Sequence, residues 1–214
     1  MQTLTSITDL TQRVLAALHD VSARDRVVVG LIGEPGSGKS TVAQAIAEEL
    51  GARGAVTTVV PMDGFHLANV ELARLGLAAR KGAPDTFDAL GYAALLHRLR
   101  TSIDETVYAP AFERSIDEAV AGSIPVPPEA SVVVTEGNYL LVADGPWARV
   151  APLLDLSCAM HVDQGSRSDW LRARHVRFGR SEDEAAAWVA AVDEPNAALV
   201  RSTMPRADVT LRLG

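Results

Sequence analysis

The sequence predicts an α/β fold, three layers in αβα order around a mainly parallel central sheet, and two observations carry the prediction. Apolar β-branched runs alternate with amphipathic stretches, and the run at residues 26–32 (Val27, Val28, Val29, Leu31 and Ile32) is almost continuously apolar. Strands covered by helices on both faces read this way, which assigns the run to the middle of the sheet. A glycine-rich turn follows it, and then a helical pattern over residues 39–50 closed by Gly51 at a C-cap position.

The other elements follow in order. Residues 1–24 carry Ile7, Leu10, Val14, Leu18 and Val21 at spacings of three or four, the pattern of an amphipathic N-terminal helix packed on the body. Further strands are predicted at 56–61 and 131–135, with weaker candidates at 158–162 and 207–213. Helical patterns occupy 67–79, 89–102, 166–178 and 182–192. Residues 107–128 are richer in proline and predict a projecting hairpin or loop. No repeat, low-complexity tract or linker divides the 214 residues, so one domain is expected. Strand–helix alternation implies right-handed crossovers, and ligands of such sheets lie beyond the carboxyl ends of the strands.

Composition narrows the function classes. With 48% hydrophobic and 22% charged residues the chain is neither disordered nor a disulfide scaffold. Twenty Lys+Arg against 27 Asp+Glu give a formal charge of -7, the wrong sign for binding nucleic acid through counterion release, and no aromatics interleave with a basic stripe. No stretch approaches the ~18 apolar residues of a membrane span. The single Cys158 precludes an internal disulfide and reads as a core filler; it fits a cytoplasmic setting. His19, His97 and His161 lack metal-ligand spacing, and Trp147, Trp170 and Trp188 are isolated. No heptad or apolar patch is readable, which leaves a homodimer open. Eighteen of the basic residues are Arg and two are Lys, Lys39 and Lys81. Codon usage accounts for the skew and not for why those two remain.

Gly33-Glu34-Pro35-Gly36-Ser37-Gly38-Lys39-Ser40 matches G-x-x-x-x-G-K-[ST] and stands between the best strand and a helix, as a P-loop must. Its glycines let backbone N–H groups turn inward, and the helix N-terminus adds its positive dipole end. Lys39 is expected on the β- and γ-phosphates, Ser40 on Mg²⁺ and Thr41 near the α-phosphate; the bland alternative is a glycine-rich turn without ligand. An Asn-Lys-x-Asp element for reading guanine is absent, because Lys81 stands in Arg80-Lys81-Gly82-Ala83. Asp63 and Glu136 each follow an apolar strand, so the fold carries both to the sheet edge that bears the P-loop. One carboxylate there accepts the proton of an acceptor hydroxyl and the other holds the Mg²⁺ shell, unless they merely cap turns.

Five blocks in order make a resemblance specific. They are the P-loop, Met62-Asp63-Gly64-Phe65-His66, Arg80-Lys81-Gly82-Ala83-Pro84-Asp85-Thr86-Phe87-Asp88, Tyr108-Ala109-Pro110-Ala111-Phe112-Glu113-Arg114, and Thr135-Glu136-Gly137-Asn138-Tyr139-Leu140-Leu141. From Val27 onward the chain resembles the P-loop kinases that include uridine kinase, phosphoribulokinase and bacterial-type pantothenate kinase. Within them it is similar to a branch often labelled nucleoside or fructose-transport-system kinase. The resemblance implies a P-loop NTPase fold that uses ATP and Mg²⁺, with Asp63 as general base, Glu136 at the metal and a mobile lid at 166–181. Arg167, Arg172, Arg174, Arg177 and Arg180 crowd that segment; Arg174 and Arg177 match the lid's paired positions, while Arg167 and Arg172 taken singly read as solvated. Lys81 lies in a block similar to the Lys-Gly-x-Pro segment of pantothenate kinases, where it contacts the acceptor or stays on the surface. His66 and Arg114 are further acceptor-pocket candidates. The expected activity is transfer of the γ-phosphate of ATP to a hydroxyl of a small metabolite, a nucleoside, a sugar or a pantothenate-like alcohol. The alternatives are a nucleotide-dependent regulator without acceptor and a nucleoside monophosphate kinase.

Overall fold

The computed structural model describes residues 2–20 and 26–213. In chain order the elements are β1 (Gln2–Leu4), α1 (Ile7–Asp20), β2 (Val27–Ile32), α2 (Lys39–Ala52), β3 (Thr57–Pro61), α3 (Asn69–Leu75), α4 (Ala89–Thr101), β4 (Val107–Glu113), β5 (Glu118–Val126), β6 (Val132–Gly137), β7 (Leu156–His161), α5 (Gln164–Arg177), α6 (Glu182–Trp188), α7 (Glu194–Thr203) and β8 (Val209–Arg212). Six strands form one sheet in the order β1-β8-β7-β2-β6-β3, every neighbouring pair parallel, while β4 and β5 form a separate antiparallel hairpin.

The three-layer arrangement follows from alternation along β2, all six residues of which are buried. Val27, Val29 and Leu31 face one core with Leu10 and Val14 of α1 and Val42, Ile46 and Leu50 of α2. Val28 and Ile32 face the other, with Tyr92, Leu96 and Leu99 of α4 and Val200 of α7. Cys158 is fully buried in the first core, and burial pushes its thiol up to about 12. Arg26, just before β2, is buried, and its guanidinium donates to the carbonyls of Ala130, Leu99 and Pro127 at 2.8, 2.8 and 3.0 Å. One side chain thereby ties the C-terminal end of α4 to the loop that enters β6. Among the described residues no helix is long and apolar enough to cross a membrane.

Several boundaries differ from the sequence pattern for physical reasons. β1 went unanticipated, since three residues are too few to show alternation; it pairs with β8 at the sheet edge. Val21 and residues 22–24 of the expected N-terminal helix lie outside the described residues. α3 is shorter than residues 67–79 because Gly76 closes it at φ 71°. The pattern at 182–192 breaks at Trp188, where the backbone widens into a π turn, Val189–Asp193, before α7 begins around Pro195. Proline in a first helical turn forfeits no intrahelical bond, so it starts α7 rather than ending α6.

The hairpin of β4 and β5 is held against the turn after β3. A Cβ placed on Gly64 in that turn would lie 2.3 Å from the carbonyl oxygen of Pro110. Gly64→Ala is therefore expected to cost about 1–3 kcal/mol, the usual range for overpacking. Urea unfolding reads this as a lower midpoint; an unchanged midpoint would mean that the hairpin yields freely.

Candidate active site

A cleft of about 790 Å³ opens at the carboxyl ends of β2, β6 and β3. The loop after β2 lines its floor with Pro35, Gly36, Ser37 and Gly38, and the first turn of α2 adds Lys39, Ser40 and Thr41. Gly36 and Gly38 take φ 79° and 77°, the left-handed region that lets the backbone curl, and α2 begins immediately at Lys39. Lys39 Nζ donates to the carbonyls of Gly33 and Glu34 and to Asn138 Oδ1 at 2.9, 3.0 and 2.9 Å. Ser37 Oγ is buried in the loop and has no hydrogen-bond partner among the described residues. A buried hydroxyl without partner beside curled backbone N–H groups suits an anion with several oxygens.

Glu136 stands in the strand itself rather than after it, because β6 runs two residues past the predicted end; its register partners are Leu31 of β2 and Pro61 of β3. Ser40 Oγ donates to Glu136 Oε1 at 2.6 Å. Burial raises the Glu136 pKa, opposed first by the Lys39 ammonium, and burial lowers that of Lys39, opposed first by Glu136. Paired serine and carboxylate oxygens form a donor set suited to a hard divalent cation. Asp63 lies in the tight turn Met62–Phe65 after β3, and Arg114 Nη2 is 3.6 Å from its Oδ2.

On the far wall α5 lies directly on the P-loop. A Cβ on Gly36 would come within 2.6 Å of Leu171 Cγ and 3.2 Å of the Arg167 carbonyl oxygen. Arg167, expected as a solvated residue, is buried at 2% exposure. Its guanidinium pairs with Glu34 at 3.2 Å, reaches Glu194 and donates to the Pro35 carbonyl at 3.3 Å. Glu34 also accepts from Gln164 and Arg201, so this P-loop carboxylate serves the packing behind the loop and does not line the cleft. Arg172 is exposed and paired with Asp169 at 3.1 Å. Arg174 lines the cleft, its pKa lowered by burial and then by Arg114. Arg177 is exposed and away from the cleft, contrary to its pairing with Arg174. Each step of three residues lags the helical repeat by about 60°, so Arg177 has turned about 120° from Leu171, which faces the loop. Arg180 lines the cleft instead, its guanidinium 3.8 Å from the centre of the Trp188 ring.

The three acceptor-side candidates all line the cleft. His66 sits between Phe87 and Phe112, ring centres 4.0 and 4.6 Å away, and its Nδ1 is 2.8 Å from the Asp63 carbonyl oxygen. Burial holds its pKa below the usual histidine value. Lys81 is not a surface residue: its side chain is 11% exposed, donates to Asn69 Oδ1 at 2.7 Å and pairs with Asp117 Oδ2 at 2.8 Å. Its ammonium also lies 5.1 Å from the Phe112 ring centre. Sequence reasoning missed Asp117, Asn138, Asp193 and Asn196. Asn138 was within reach, two positions past Glu136 in a block already singled out. Asp117 sits in a hairpin turn at φ 53°, and Asp193, bonded to His175 Nε2 at 2.8 Å, comes from the unanticipated π turn. Trp147 packs in the core with its Nε1 donating to the Pro84 carbonyl, whereas Trp170 and Trp188 line the cleft.

With this geometry in place, similarity to known proteins is informative. Over 204 residues the chain is 32% identical to a Schizosaccharomyces pombe protein provisionally named as a uridine kinase, spanning 92% of this chain and 87% of that one. It is 31% identical over 212 residues to the pantothenate kinase of Leifsonia xyli subsp. xyli, spanning 86% of this chain and 65% of that one. A solved structure from Silicibacter sp. TM1040, provisionally named as a fructose transport system kinase, superposes with a TM-score of 0.89 at 39% identity and covers 97% of this chain and 99% of that one. The model of the phosphoribulokinase/uridine kinase family matches residues 28–213, nearly all of the sheet and the whole cleft. The chain therefore belongs to the phosphoribulokinase/uridine kinase family, phosphotransferases whose acceptor is a hydroxyl group.

Proposed function

We propose that this kinase transfers the γ-phosphate of ATP, with Mg²⁺, to a hydroxyl of a small metabolite. The observation that carries this reading is the placement of Asp63 on the same cleft as Lys39, Ser40 and Glu136. A nucleotide switch needs no proton acceptor there. The unpartnered Ser37 hydroxyl, the inward-curled loop and the Ser40–Glu136 oxygen pair fit a nucleotide with its divalent cation. When bound, that cation neutralises charge on the phosphate oxygens.

The chain's own residues then divide the work. Lys39 exchanges its carbonyl partners for phosphate oxygens, a compact charge on a stem thin enough for the loop. Ser40 and Glu136 would hold the cation, whose charge would favour the ionised carboxylate against the burial that raises the Glu136 pKa. Asp63 takes the proton from the acceptor hydroxyl as that oxygen attacks, with Arg114 holding the carboxylate in place. Arg174 supplies charge to the transferred group from the α5 wall.

Two measurements test this assignment. Asp63→Asn is expected to lower acceptor-dependent ADP release about 10²- to 10⁴-fold while leaving ATP binding largely intact. Near-parental turnover would overturn Asp63 as the base. Arg174→Ala is expected to cost about tenfold or more in kcat, whereas Arg177→Ala stays within about twofold, since only Arg174 lines the cleft. Equal losses in the two variants, or a loss in Arg174→Ala matched by an equal loss of thermal stability, would reassign the arginines to packing.

A further inference from the structure

The charges along the cleft are distributed unevenly, and the distribution bears on the acceptor. Lys39 from the P-loop and Arg174 and Arg180 from the opposite wall line it, and among the described residues none of the three has a carboxylate within 4.0 Å. On the acceptor side the cations are Lys81 and Arg114, and both are already matched, Lys81 by Asp117 at 2.8 Å and Arg114 by Asp63 at 3.6 Å. Asp193 adds a third carboxylate to that wall, near Asn196, whose amide donates to the Gly82 carbonyl beside Lys81. Its hydrogen-bonded partner is the His175 ring, and the Arg174 guanidinium, near enough to feel its charge and that of Asp63, stands among carboxylates too. His66 on the same wall has its pKa lowered by burial, so it contributes no lasting charge. Among the described residues, each permanent cation bordering that half, Lys81, Arg114 and Arg174, is thus already balanced by neighbouring carboxylates before an acceptor's own carboxylate or phosphate arrives.

We propose that the acceptor is a neutral polyhydroxyl compound of the sugar, polyol or nucleoside kind, and that alcohols bearing a carboxylate or phosphate are poor acceptors. This rests on the phosphotransfer reading above and narrows it. An ionised carboxylate offers about four lone-pair sites, so Asp63 and Asp117 each retain acceptor capacity for hydroxyl protons after meeting their cations. The rings of Phe87 and Phe112, on either side of His66, present an apolar shelf for the C–H face of such a molecule. An anionic acceptor would be brought against carboxylates with no free cation to offset them, in a partly desolvated site where charge interactions are felt strongly.

The test uses matched pairs with one skeleton and different charge: pantothenol against pantothenate, glycerol against D-glycerate, glucose against glucuronate, and a ribonucleoside against its 5′-monophosphate. Acceptor-dependent ADP release by the full chain is measured for each. In every productive pair the neutral member is expected to have a kcat/KM about tenfold or more above its charged partner. A preference for the charged member would overturn the proposal and leave phosphotransfer standing. Stimulation by no member of any pair would remove the phosphotransfer reading and the acceptor assignment with it. Asp117→Asn tolerates the φ of 53° and releases Lys81 from its ion pair. It is expected to narrow the neutral-to-charged ratio about threefold or more, through a lower KM for the charged member. An unchanged ratio in a variant that melts like the parent would overturn the part given to the Lys81–Asp117 pair.

Discussion

Parallel pairing sets Leu31, Glu136 and Pro61 level with one another across β2, β6 and β3, and the chemistry of the cleft depends on that register. Each strand delivers its functional residue within a few positions of the level: the P-loop after β2, Glu136 within β6, and Asp63 after β3. A slip of two residues would preserve which side chains face which core and still move Glu136 by about 7 Å along the strand. The 2.6 Å bond from Ser40 would be lost. Burial on both faces makes the register costly to change, because every position of β2 and β6 is packed. The apolar alternation that builds the two cores is thus also what aligns the residues proposed to react.

A second constraint comes from the seating of α5 on the P-loop. Gly36 has no room for a side chain because Leu171 and the Arg167 backbone occupy the space. Arg167 is shared between Glu34 of the loop and Glu194 of α7, so three segments distant in sequence meet at one buried guanidinium. Arginine suits this position: its planar fork meets several acceptors in fixed directions, which a lysine cannot do. The first turns of α5 consequently belong to the floor of the site, and the surfaces turned toward the open cleft begin at Trp170 and Arg174.

The sheet, its layers and the P-loop were legible because each writes a periodic or positional pattern: continuous apolar runs, helical spacing, and glycines at defined offsets. The placement of Asp63 and Glu136 on the cleft was legible because they stand at strand ends in a parallel sheet. What escaped had no such pattern. β1 is too short to alternate, and the π turn and α7 were masked by an Ala-rich stretch in which polar and apolar positions hardly differ. The arginine cluster shows the limit most clearly. Its composition suggested cations facing the cleft, yet burying Arg167, exposing Arg177 and bringing Arg180 into the cleft depend on the docking angle of α5 and the turn at Gly179, φ 99°. No residue-type pattern encodes that angle.

The two lysines also acquire a meaning that their scarcity alone did not have. Lys39 and Lys81 are the chain's entire complement of side-chain amines, and both line the same cleft. Each has its donors engaged, Lys39 with two carbonyls and Asn138, Lys81 with Asn69 and Asp117. The outer surface, for all its basic residues, presents guanidinium groups to which amine-directed acylating reagents are nearly blind. Apart from reaction at the chain's α-amino group, such labelling of this protein would therefore report on one place, with the extent of lysine modification rising or falling as the cleft is emptied or filled.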